Sequence, residues 1–223
     1  MDYLPQIDMS TLKFSNPRLA DEEGLMAYGG DLSQSRLMSA YTSGIFPWFN
    51  EDDPILWWSP NPRFVLDIND LHVSKSLKKT INKEIFEIKF DTAFKEVMMN
   101  CAQIKRVDED GTWITDDMIE AYVDLHESGF AHSFEAYFDG ELVGGGYGVE
   151  IGNIFCGESM FCKKSNASKV AFVHLVNRLK ENGFILIDSQ IHTQYLENFG
   201  AKHISRDTYL DMVIDSLHNV KSF

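Results

Sequence analysis

The stretch AHSFEAYFDGELVGGGYGVEIGNIFCGESMF, residues 131–161, decides the fold class. Its composition is typical of β-strands, and the pairs Asp139–Gly140 and Gly152–Asn153 supply two turns that divide it into three segments. Successive strands joined by turns this short pair antiparallel. The stretch therefore predicts a three-stranded antiparallel meander.

Two helices are predicted before this meander, over residues 92–104 and 116–128. In each, apolar residues recur every three or four positions, as on one face of an α-helix. Asp91 is expected to cap the first helix and Gly129 to end the second. The residues expected to face the sheet are Phe94, Val97, Met98, Cys101, Met118, Ala121, Tyr122 and Leu125.

After the meander, a helix is predicted over residues 166–181, followed by Asn182, Gly183 and a buried strand over residues 184–188. The remainder reads as helical. Two helices, a meander, a helix and a strand form the order of the GCN5-related acetyltransferase fold. We therefore expect a mixed α+β protein with such a sheet in its C-terminal part.

The segment over residues 24–62 is rich in aromatic and turn residues and predicts a small N-terminal domain. One short helix is expected there, with Ser33 as N-cap, Leu37, Ala40 and Tyr41 on one face, and Gly44 at its end. Pro60 and Pro62 mark the expected boundary, which gives domains 1–62 and 63–223.

The composition limits the class of protein. With 223 residues, of which 44% are hydrophobic and 24% charged, the chain is expected to fold throughout. Its formal net charge of -14 argues against non-specific nucleic-acid binding, which relies on broad phosphate neutralisation. No signal peptide or membrane-spanning segment is recognisable, and the three cysteines, Cys101, Cys156 and Cys162, are expected to be buried free thiols, so a cytoplasmic location is predicted.

One predicted helix, over residues 74–83, carries a basic stripe. Leu77 and Ile81 fall on its apolar side, whereas Lys75, Lys78 and Lys79, extended by Lys83, lie on the other. These lysines form either a contact for a phosphate backbone or an ordinary solvated face.

Six strings, in order along the chain, closely resemble the bacterial leucyl/phenylalanyl-tRNA-protein transferases. They are GLMAYGGDLS from Gly24, AYTSGIFPWF from Ala40, PILWWSPNPR from Pro54, GTWIT from Gly111, HESGFAHSFEAY from His126 and LVGGGYGVEIGNIFCGESMF from Leu142, with NASK and IDSQ downstream. Two positions depart from the family pattern. Asn61 replaces the usual Asp of SPDPR, and Gly146 stands where a larger apolar residue such as Met is common, which leaves the shape of the amino-acid pocket open.

The resemblance implies an aminoacyltransferase of the N-end rule pathway of protein degradation. The donor would be Leu-tRNA or Phe-tRNA, and the acceptor a protein with N-terminal Arg or Lys; the preference among Leu, Phe and Met is left open. A monomer is expected. An aminoacyl ester is already activated, so the reaction needs alignment of its substrates and no metal or redox cofactor.

Asp188 and Gln190 are the catalytic candidates. Asp188 follows the apolar run 184–187, and Gln190 lies two residues on, on the same strand face. An N-terminal amine has a pKa of about 8, so a weak base suffices. We expect Gln190 to orient the amine, because an amide holds no proton, and Asp188 to polarise it. The alternative is that Asp188 caps the following helix near His192.

Glu158 is a substrate-binding candidate because it lies just past the core of a strand, where an unpaired carboxylate is costly. Its counter-charge would be the Arg or Lys of the acceptor N-terminus, or alternatively an internal Lys or Arg.

Aromatic and apolar residues complete the predicted site. Of the four tryptophans, Trp48 and Trp113 are the candidates for stacking on the terminal adenosine or for lining the pocket. The pocket for the Leu or Phe side chain is assigned to Phe155, Ser159, Met160, Phe172, Leu175 and Ile187. The apolar members could equally be ordinary core. His126 and His132 fit no zinc motif and are interpreted as structural.

Two other functions compete with aminoacyl transfer. A coenzyme-A-dependent acetyltransferase needs a glycine-rich turn before the helix that receives the pyrophosphate, whereas CKKSNASK, residues 162–169, contains no glycine. A non-catalytic tRNA- or peptide-binding module would keep the lysines and aromatic residues but would have no use for a buried Asp188.

Overall fold

The computed structural model of the chain describes residues 5–7, 11–104 and 113–223. It contains a four-stranded sheet formed by the first 58 residues and a seven-stranded sheet formed by the rest. Two short 3-10 helices, Pro17–Leu19 and Ile68–Asp70, accompany these sheets.

The small sheet has the strand order β1-β2-β4-β3. Its strands are β1 (Gln6–Ile7), β2 (Leu25–Gly29), β3 (Phe46–Pro47) and β4 (Leu56–Trp58). β1 is parallel to β2, and the other neighbours are antiparallel. The predicted helix after Ser33 is α1 (Gln34–Tyr41), with Leu37, Ala40 and Tyr41 buried as expected.

The large sheet has the strand order β11-β5-β10-β9-β8-β7-β6. Its strands are β5 (Arg63–Asp67), β6 (Glu87–Phe90), β7 (Ala131–Phe138), β8 (Glu141–Ile151), β9 (Ile154–Cys162), β10 (Leu186–Asp188) and β11 (Lys202–Ile204). β7, β8 and β9 are the predicted antiparallel meander. β10 runs parallel to β9, and the remaining pairs are antiparallel.

Six helices accompany the large sheet: α2 (Lys75–Ile81), α3 (Phe94–Ala102), α4 (Asp116–Glu127), α5 (Ala167–Glu181), α6 (Gln194–Glu197) and α7 (Arg206–Leu217). Hydroxyl side chains begin four of them by accepting a backbone N–H three residues ahead; the caps are Ser74, Thr115, Thr193 and Ser205. The helices, the meander, α5 and β10 follow one another in the predicted order. The predicted mixed α+β class, with a small N-terminal sheet and a larger sheet that contains the meander, is confirmed.

The core lies on both faces of the large sheet because side chains alternate along its strands. In β10, Leu186 packs on the face covered by α3 and α4, whereas Ile187 packs on the face covered by α5. The first of these apolar clusters also includes residues of the small sheet, such as Trp57.

Some predicted details were wrong. Asp91 does not cap α3, whose N-cap is Ala93; Asp91 has φ +57° and accepts a hydrogen bond from the Ser133 N–H instead. The strand over residues 184–188 is shorter than predicted, because the Phe184 N–H still bonds to the helix carbonyl of Leu179. Cys162 is exposed, unlike Cys101 and Cys156.

Pro60 and Pro62 lie between β4 and β5, where the chain passes from the small sheet to the large one. Because an apolar cluster includes residues from both sheets, the division into domains 1–62 and 63–223 stays a prediction. None of the helices within the described ranges combines the length and the apolar character needed to span a membrane.

Candidate active site

The candidate site lies where β9 and β10 separate. Their parallel pairing ends at Cys156 and Asp188; β10 stops there, whereas β9 continues along β8 to Cys162. A cavity of about 540 Å³ opens at this point. One side of it is the continuation of β9, and another is the segment that follows β10, including Ser189 and Gln190.

A β-bulge directs Glu158 towards this cavity. Gly157 pairs with Gly148 and Ser159 pairs with Tyr147, so Glu158 has no partner residue on β8. A bulge of this kind re-aims a side chain and is common beside active sites.

Every apolar residue predicted for the pocket lines the cavity, together with Ser159; they are Phe155, Met160, Phe172, Leu175 and Ile187. Phe134 of β7 also belongs to the lining and was missed by the sequence analysis. The apolar wall comes from three strands and α5, and an apolar wall of this kind suits an uncharged side chain of a ligand.

Trp48 and Trp113 both line the cavity, as predicted, and Trp48 keeps 38% of its surface exposed. Trp57 is fully buried, and its indole N–H donates to the carbonyl of Gly29 at 2.9 Å. The Trp58 indole N–H donates to the carbonyl of Trp48 at 2.7 Å. Gly111 and Thr112, which precede Trp113 in the string GTWIT, lie outside the described residues.

Asp188 is fully buried behind the cavity wall and is not part of the lining. Its Oδ1 accepts from Arg63 Nε at 2.8 Å and from the Gln190 N–H at 3.0 Å. Its Oδ2 accepts from Arg63 Nη2 at 2.6 Å and from the Tyr209 hydroxyl at 2.8 Å. A carboxylate has about four lone-pair sites, and four donors occupy them here. Direct polarisation of a substrate amine by Asp188, as the sequence suggested, would require one of these bonds to break.

Arg63 and Tyr209 are thus functional candidates that the sequence analysis missed. Burial lowers the pKa of Arg63, but the Asp188 carboxylate more than offsets this, and the net shift is upward. Arg63 is the last residue of the string PILWWSPNPR, one of the six strings that carry the family resemblance.

Gln190 connects Asp188 to the cavity. Its backbone is in the left-handed region at φ +57°, where the bond from its N–H to Asp188 holds it. Its side-chain Nε2 donates to Glu158 Oε1 at 3.1 Å. Gln190 therefore presents an amide carbonyl oxygen that is available to accept from a ligand.

Glu158 is joined to two buried tyrosines that the sequence placed only in helix cores. The Tyr41 hydroxyl of α1 donates to Glu158 Oε1 at 2.8 Å, and it also contacts the Tyr122 hydroxyl of α4. Burial raises the pKa of Glu158 to about 8, although the bond from Tyr41 opposes the shift. Among the described residues, no Lys or Arg forms an ion pair with Glu158. The positive charge of Arg63, which is paired with Asp188, favours the ionised form of Glu158 from a distance, so the alternative of an internal counter-charge stays open.

The predicted basic stripe is present on α2 and lies outside the cavity lining. α2 ends at Ile81, before the predicted end, so Lys83 follows the helix. Lys75, Lys78, Lys79 and Lys83 are all exposed, and none forms an ion pair with a residue in the described ranges. α2 packs against α5, the helix that supplies Phe172 and Leu175 to the cavity.

The two departures from the family pattern have structural explanations. A Cβ at Gly146 would lie 2.6 Å from the carbonyl oxygen of Ser159 and 2.5 Å from Met160 Cγ, so only glycine fits without moving the cavity wall. The Asn61 side chain accepts a hydrogen bond from the Arg206 N–H at 3.0 Å, a contact that an aspartate oxygen could also make.

The histidines have partners of a structural kind. His126 contacts the carbonyl of Ala131 through Nδ1 at 2.8 Å and stacks on Phe94, and His132 Nδ1 lies 2.9 Å from Asp91. Within the described part of the chain, no group of three or more His, Cys, Asp or Glu side chains is placed to hold a metal ion. That the reaction needs no metal stays a prediction.

Two family models match the chain. That of leucyl/phenylalanyl-tRNA protein transferase covers residues 65–214, and that of the N-terminal domain of the same transferase covers residues 30–61.

Relatives named leucyl/phenylalanyl-tRNA–protein transferase match most of the chain. The protein from Sulfurimonas denitrificans is 53% identical over 93% of this chain and 90% of its own. Those from Flavobacterium johnsoniae and Myxococcus xanthus are 52% and 53% identical, over 87% and 88% of this chain and 92% and 84% of their own. A GCN5-related N-acetyltransferase-like protein from Streptococcus suis aligns with 78% of this chain and 66% of its own at 14% identity, with a TM-score of 0.38. The two family models and the identity to these relatives show that the chain belongs to the leucyl/phenylalanyl-tRNA-protein transferase family.

Proposed function

We propose that this chain transfers a leucyl or phenylalanyl group from aminoacyl-tRNA to a protein whose first residue is Arg or Lys. The product would carry a new N-terminal Leu or Phe, which marks it for N-end-rule degradation. Membership of the family supports the class of reaction, and the site supports the assignment of roles.

The proposal rests on one observation: an apolar pocket and two polar side chains, Glu158 and Gln190, lie on the same cavity. The cavity wall formed by Phe134, Met160, Phe172 and Leu175 suits the side chain of Leu or Phe. A site that holds an ester and an amine in the correct relative position lowers the barrier to their reaction, and this alignment accounts for much of the rate enhancement.

In the proposed reaction Gln190 orients the attacking amine through its side-chain carbonyl. Asp188 acts through Gln190: it holds the Gln190 N–H and is itself fixed by Arg63 and Tyr209. Asp188 is therefore proposed as a positioning residue and not as the group that contacts the amine.

Glu158 is proposed to meet the positive charge of the acceptor N-terminus. Its carboxylate lines the cavity and has a hydrogen-bond acceptor, Oε2, to which no described residue donates. A charge-assisted hydrogen bond with a cation would lower the free energy of acceptor binding. Replacing Glu158 by Gln should accordingly raise the concentration of Arg-peptide needed for half-maximal transfer.

The donor tRNA is proposed to contact two further regions. Trp48 and Trp113 offer ring faces to the terminal adenosine, since bases stack readily on aromatic side chains. The exposed lysines of α2 are proposed to contact phosphates of the acceptor stem.

Aminoacyl-tRNA is a cytoplasmic substrate, so we place the reaction in the cytoplasm. We also propose a monomer, as the resemblance to the family implies.

One assay tests the proposal. The purified protein is incubated with radiolabelled Phe-tRNA and a peptide that begins with Arg, and label in the peptide is measured. Transfer to this peptide, with little transfer to a matched peptide that begins with Asp, is the expected result. Binding of tRNA without turnover would favour a non-catalytic module, and acetyl transfer from acetyl coenzyme A would favour the acetyltransferase alternative.

A further inference from the structure

Glu158 is the only carboxylate among the described residues that line the cavity. It is held by the bulge in β9 and by hydrogen bonds from Tyr41 and Gln190. On the basis of the proposed transfer reaction, we propose that Glu158 takes the proton from the attacking α-amine and returns it to the ribose oxygen that leaves. Tyr41 and Tyr122 are positioning residues that hold this carboxylate for the proton transfer.

The two polar residues on the β10 side that interact with Glu158, Asp188 and Gln190, are unsuited to take this proton. Asp188 already accepts four hydrogen bonds, two of them from the Arg63 guanidinium. Gln190 ends in an amide, which holds no additional proton at neutral pH. The remaining group that can accept the proton is Glu158 of β9, which faces the cavity.

The position of Gln190 indicates which positive charge Glu158 meets. Gln190 Nε2 lies 3.1 Å from Glu158 Oε1, so an amine held by the carbonyl oxygen of the same amide is within reach of the carboxylate. The side-chain cation of an N-terminal Arg or Lys lies several bonds further from the reacting nitrogen. Glu158 consequently meets the α-amino group and not the side chain of the first residue.

The proposed step conserves atoms and charge. The neutral amine attacks the ester carbonyl carbon, and its N–H proton passes to the Glu158 carboxylate as the C–N bond forms. When the C–O bond to the ribose breaks, the leaving oxygen takes this proton from Glu158 and departs as a hydroxyl. The products are an amide and a deacylated tRNA, and Glu158 returns to its ionised state.

The surroundings of Glu158 suit this exchange. The titratable and charged groups that face it within the described ranges are Tyr41 of α1, Tyr122 of α4, Arg63 of β5, Cys156 of β9 and Asp188 of β10. Burial raises the pKa of Glu158 to about 8, and the charge of Asp188 adds to the shift, whereas Tyr41 and Arg63 oppose it. An N-terminal amine has a pKa of about 8 as well, and proton transfer between groups of matched pKa is efficient.

The pH dependence of kcat/KM for an Arg-peptide tests this role. In the wild type both the amine and Glu158 must lose a proton before attack, so log(kcat/KM) should rise with a slope approaching 2 below about pH 7. Glu158→Gln removes one ionisation, so the slope should fall to 1 and the rate should drop by roughly 10²–10⁴-fold.

Two tyrosine variants test the positioning. Tyr41→Phe removes a hydrogen bond that stabilises the carboxylate, so the profile should move to higher pH, and Tyr122→Phe should move it less in the same direction. Tyr137→Phe is the matched control, because Tyr137 of β7 lies outside the cavity lining and should leave the profile unchanged.

The outcomes separate this proposal from the proposed function. A Glu158→Gln enzyme that keeps the slope of 2, or that changes only its KM for the peptide, overturns the proton role while leaving the transfer reaction intact. Failure of the wild type to transfer at all contradicts the proposed function instead. If Glu158→Gln does not fold, the Tyr41→Phe profile decides: a shift to higher pH supports the role, and an unshifted profile overturns it.

Discussion

Asp188 illustrates how much of a residue's role depends on distant parts of the chain. The apolar run before it correctly predicted that it ends a buried strand. Its partners, however, come from β5 and α7 as well as from its own loop, and Arg63 is 125 positions away in sequence. These partners occupy its oxygens and change the expected role from contact with the amine to positioning of Gln190.

Replacing Asp188 by Asn tests this interpretation. Transfer should fall by roughly 10²–10⁴-fold, the usual range for lost acid–base or orienting groups. The melting temperature should fall as well, because removing one partner of a buried ion pair costs about 3–5 kcal/mol. Kinetics and thermal unfolding of the same preparation measure both effects.

A double variant, Arg63→Met with Asp188→Leu, is the control for stability. Apolar replacement of both partners of a buried pair is often neutral for folding, so the melting temperature should recover in part while transfer stays low. The recovery is limited because the Tyr209 hydroxyl and the Gln190 N–H lose their acceptor. Recovery of transfer together with stability would contradict the positioning role.

The stability of the protein should report the ionisation of Glu158. Its folded pKa of about 8 lies above the unfolded value of about 4.3, so the folded state binds more protons between these values. Stability should therefore fall as pH rises from about 4 to 8. Glu158→Gln removes this loss and should be the more stable protein above pH 8, whereas the two should converge near pH 4. If the melting temperatures of the wild type and of Glu158→Gln differ by a constant amount across this pH range, the pKa of Glu158 is not raised.

The pocket residues could be predicted from the sequence, whereas the network behind them could not. Phe155 and Ile187, which were expected in the pocket as apolar residues around the strand end, line the cavity. That they bind the Leu or Phe side chain stays a prediction. Tyr41 and Tyr122 were recognised as buried, but the chain of hydrogen bonds from Tyr122 through Tyr41 to Glu158 joins α4, α1 and β9 and requires the tertiary fold. The sequence around Glu158 also contains no pattern that predicts the bulge, which turns Glu158 towards the cavity.

At the scale of elements, long periodic segments were predicted best. α4, α5 and the meander lie within a residue or two of their expected bounds. β6 and β11 were missed because they are edge strands of four and three residues with mixed polarity, which gives alternation too little length to be recognised. β5 was missed although it is largely buried, since it directly follows the proline-rich segment 60–62.

The basic face of α2 is the element whose function is easiest to test. Changing Lys75, Lys78 and Lys79 to Ala should weaken binding of Leu-tRNA and Phe-tRNA equally. The slope of log affinity against log salt should become shallower by about one unit for each lost phosphate contact. The triple variant should use aminoacyl-adenosine, a donor without an acceptor stem, as efficiently as the wild type does. Affinity for Phe-tRNA at several salt concentrations measures the effect.

A matched variant controls for net charge. Lys95 of α3, Lys180 of α5 and Lys221, which follows α7, are exposed lysines away from α2, and their replacement by Ala changes the net charge by the same amount, from -14 to -17, since -14 - 3 = -17. This variant should bind tRNA nearly as the wild type does. If both triple variants weaken binding alike, the effect belongs to the overall charge and α2 is an ordinary solvated face.

At the scale of the whole molecule, the small sheet is tied to the large one by polar as well as apolar contacts. The Arg206 guanidinium of α7 donates to the carbonyls of Ala20, Asp21 and Ser59 in the N-terminal part. Gly44 lies so close to Leu210 that a Cβ there would be 2.4 Å from Leu210 Cδ2. These contacts place Tyr41 and Trp48 of the first 62 residues on the site of the large sheet.

The chain should consequently unfold in a single cooperative transition. Trp57 of β4 tests this, because it is fully buried in the apolar cluster shared by the two sheets. Trp57→Phe should cost on the order of 1–3 kcal/mol, less than the roughly 3–5 kcal/mol of truncation to Ala. For a chain of this size each kcal/mol lowers the melting temperature by about 2–4 °C. Most helical residues in the described ranges lie after residue 63, so far-UV circular dichroism reports mainly on the large-sheet part. If the two parts are coupled, the midpoint of the circular dichroism transition should fall together with the midpoint of the single calorimetric peak. Two calorimetric peaks, with only one of them moved by Trp57→Phe, would show instead that residues 1–62 and 63–223 are independent domains.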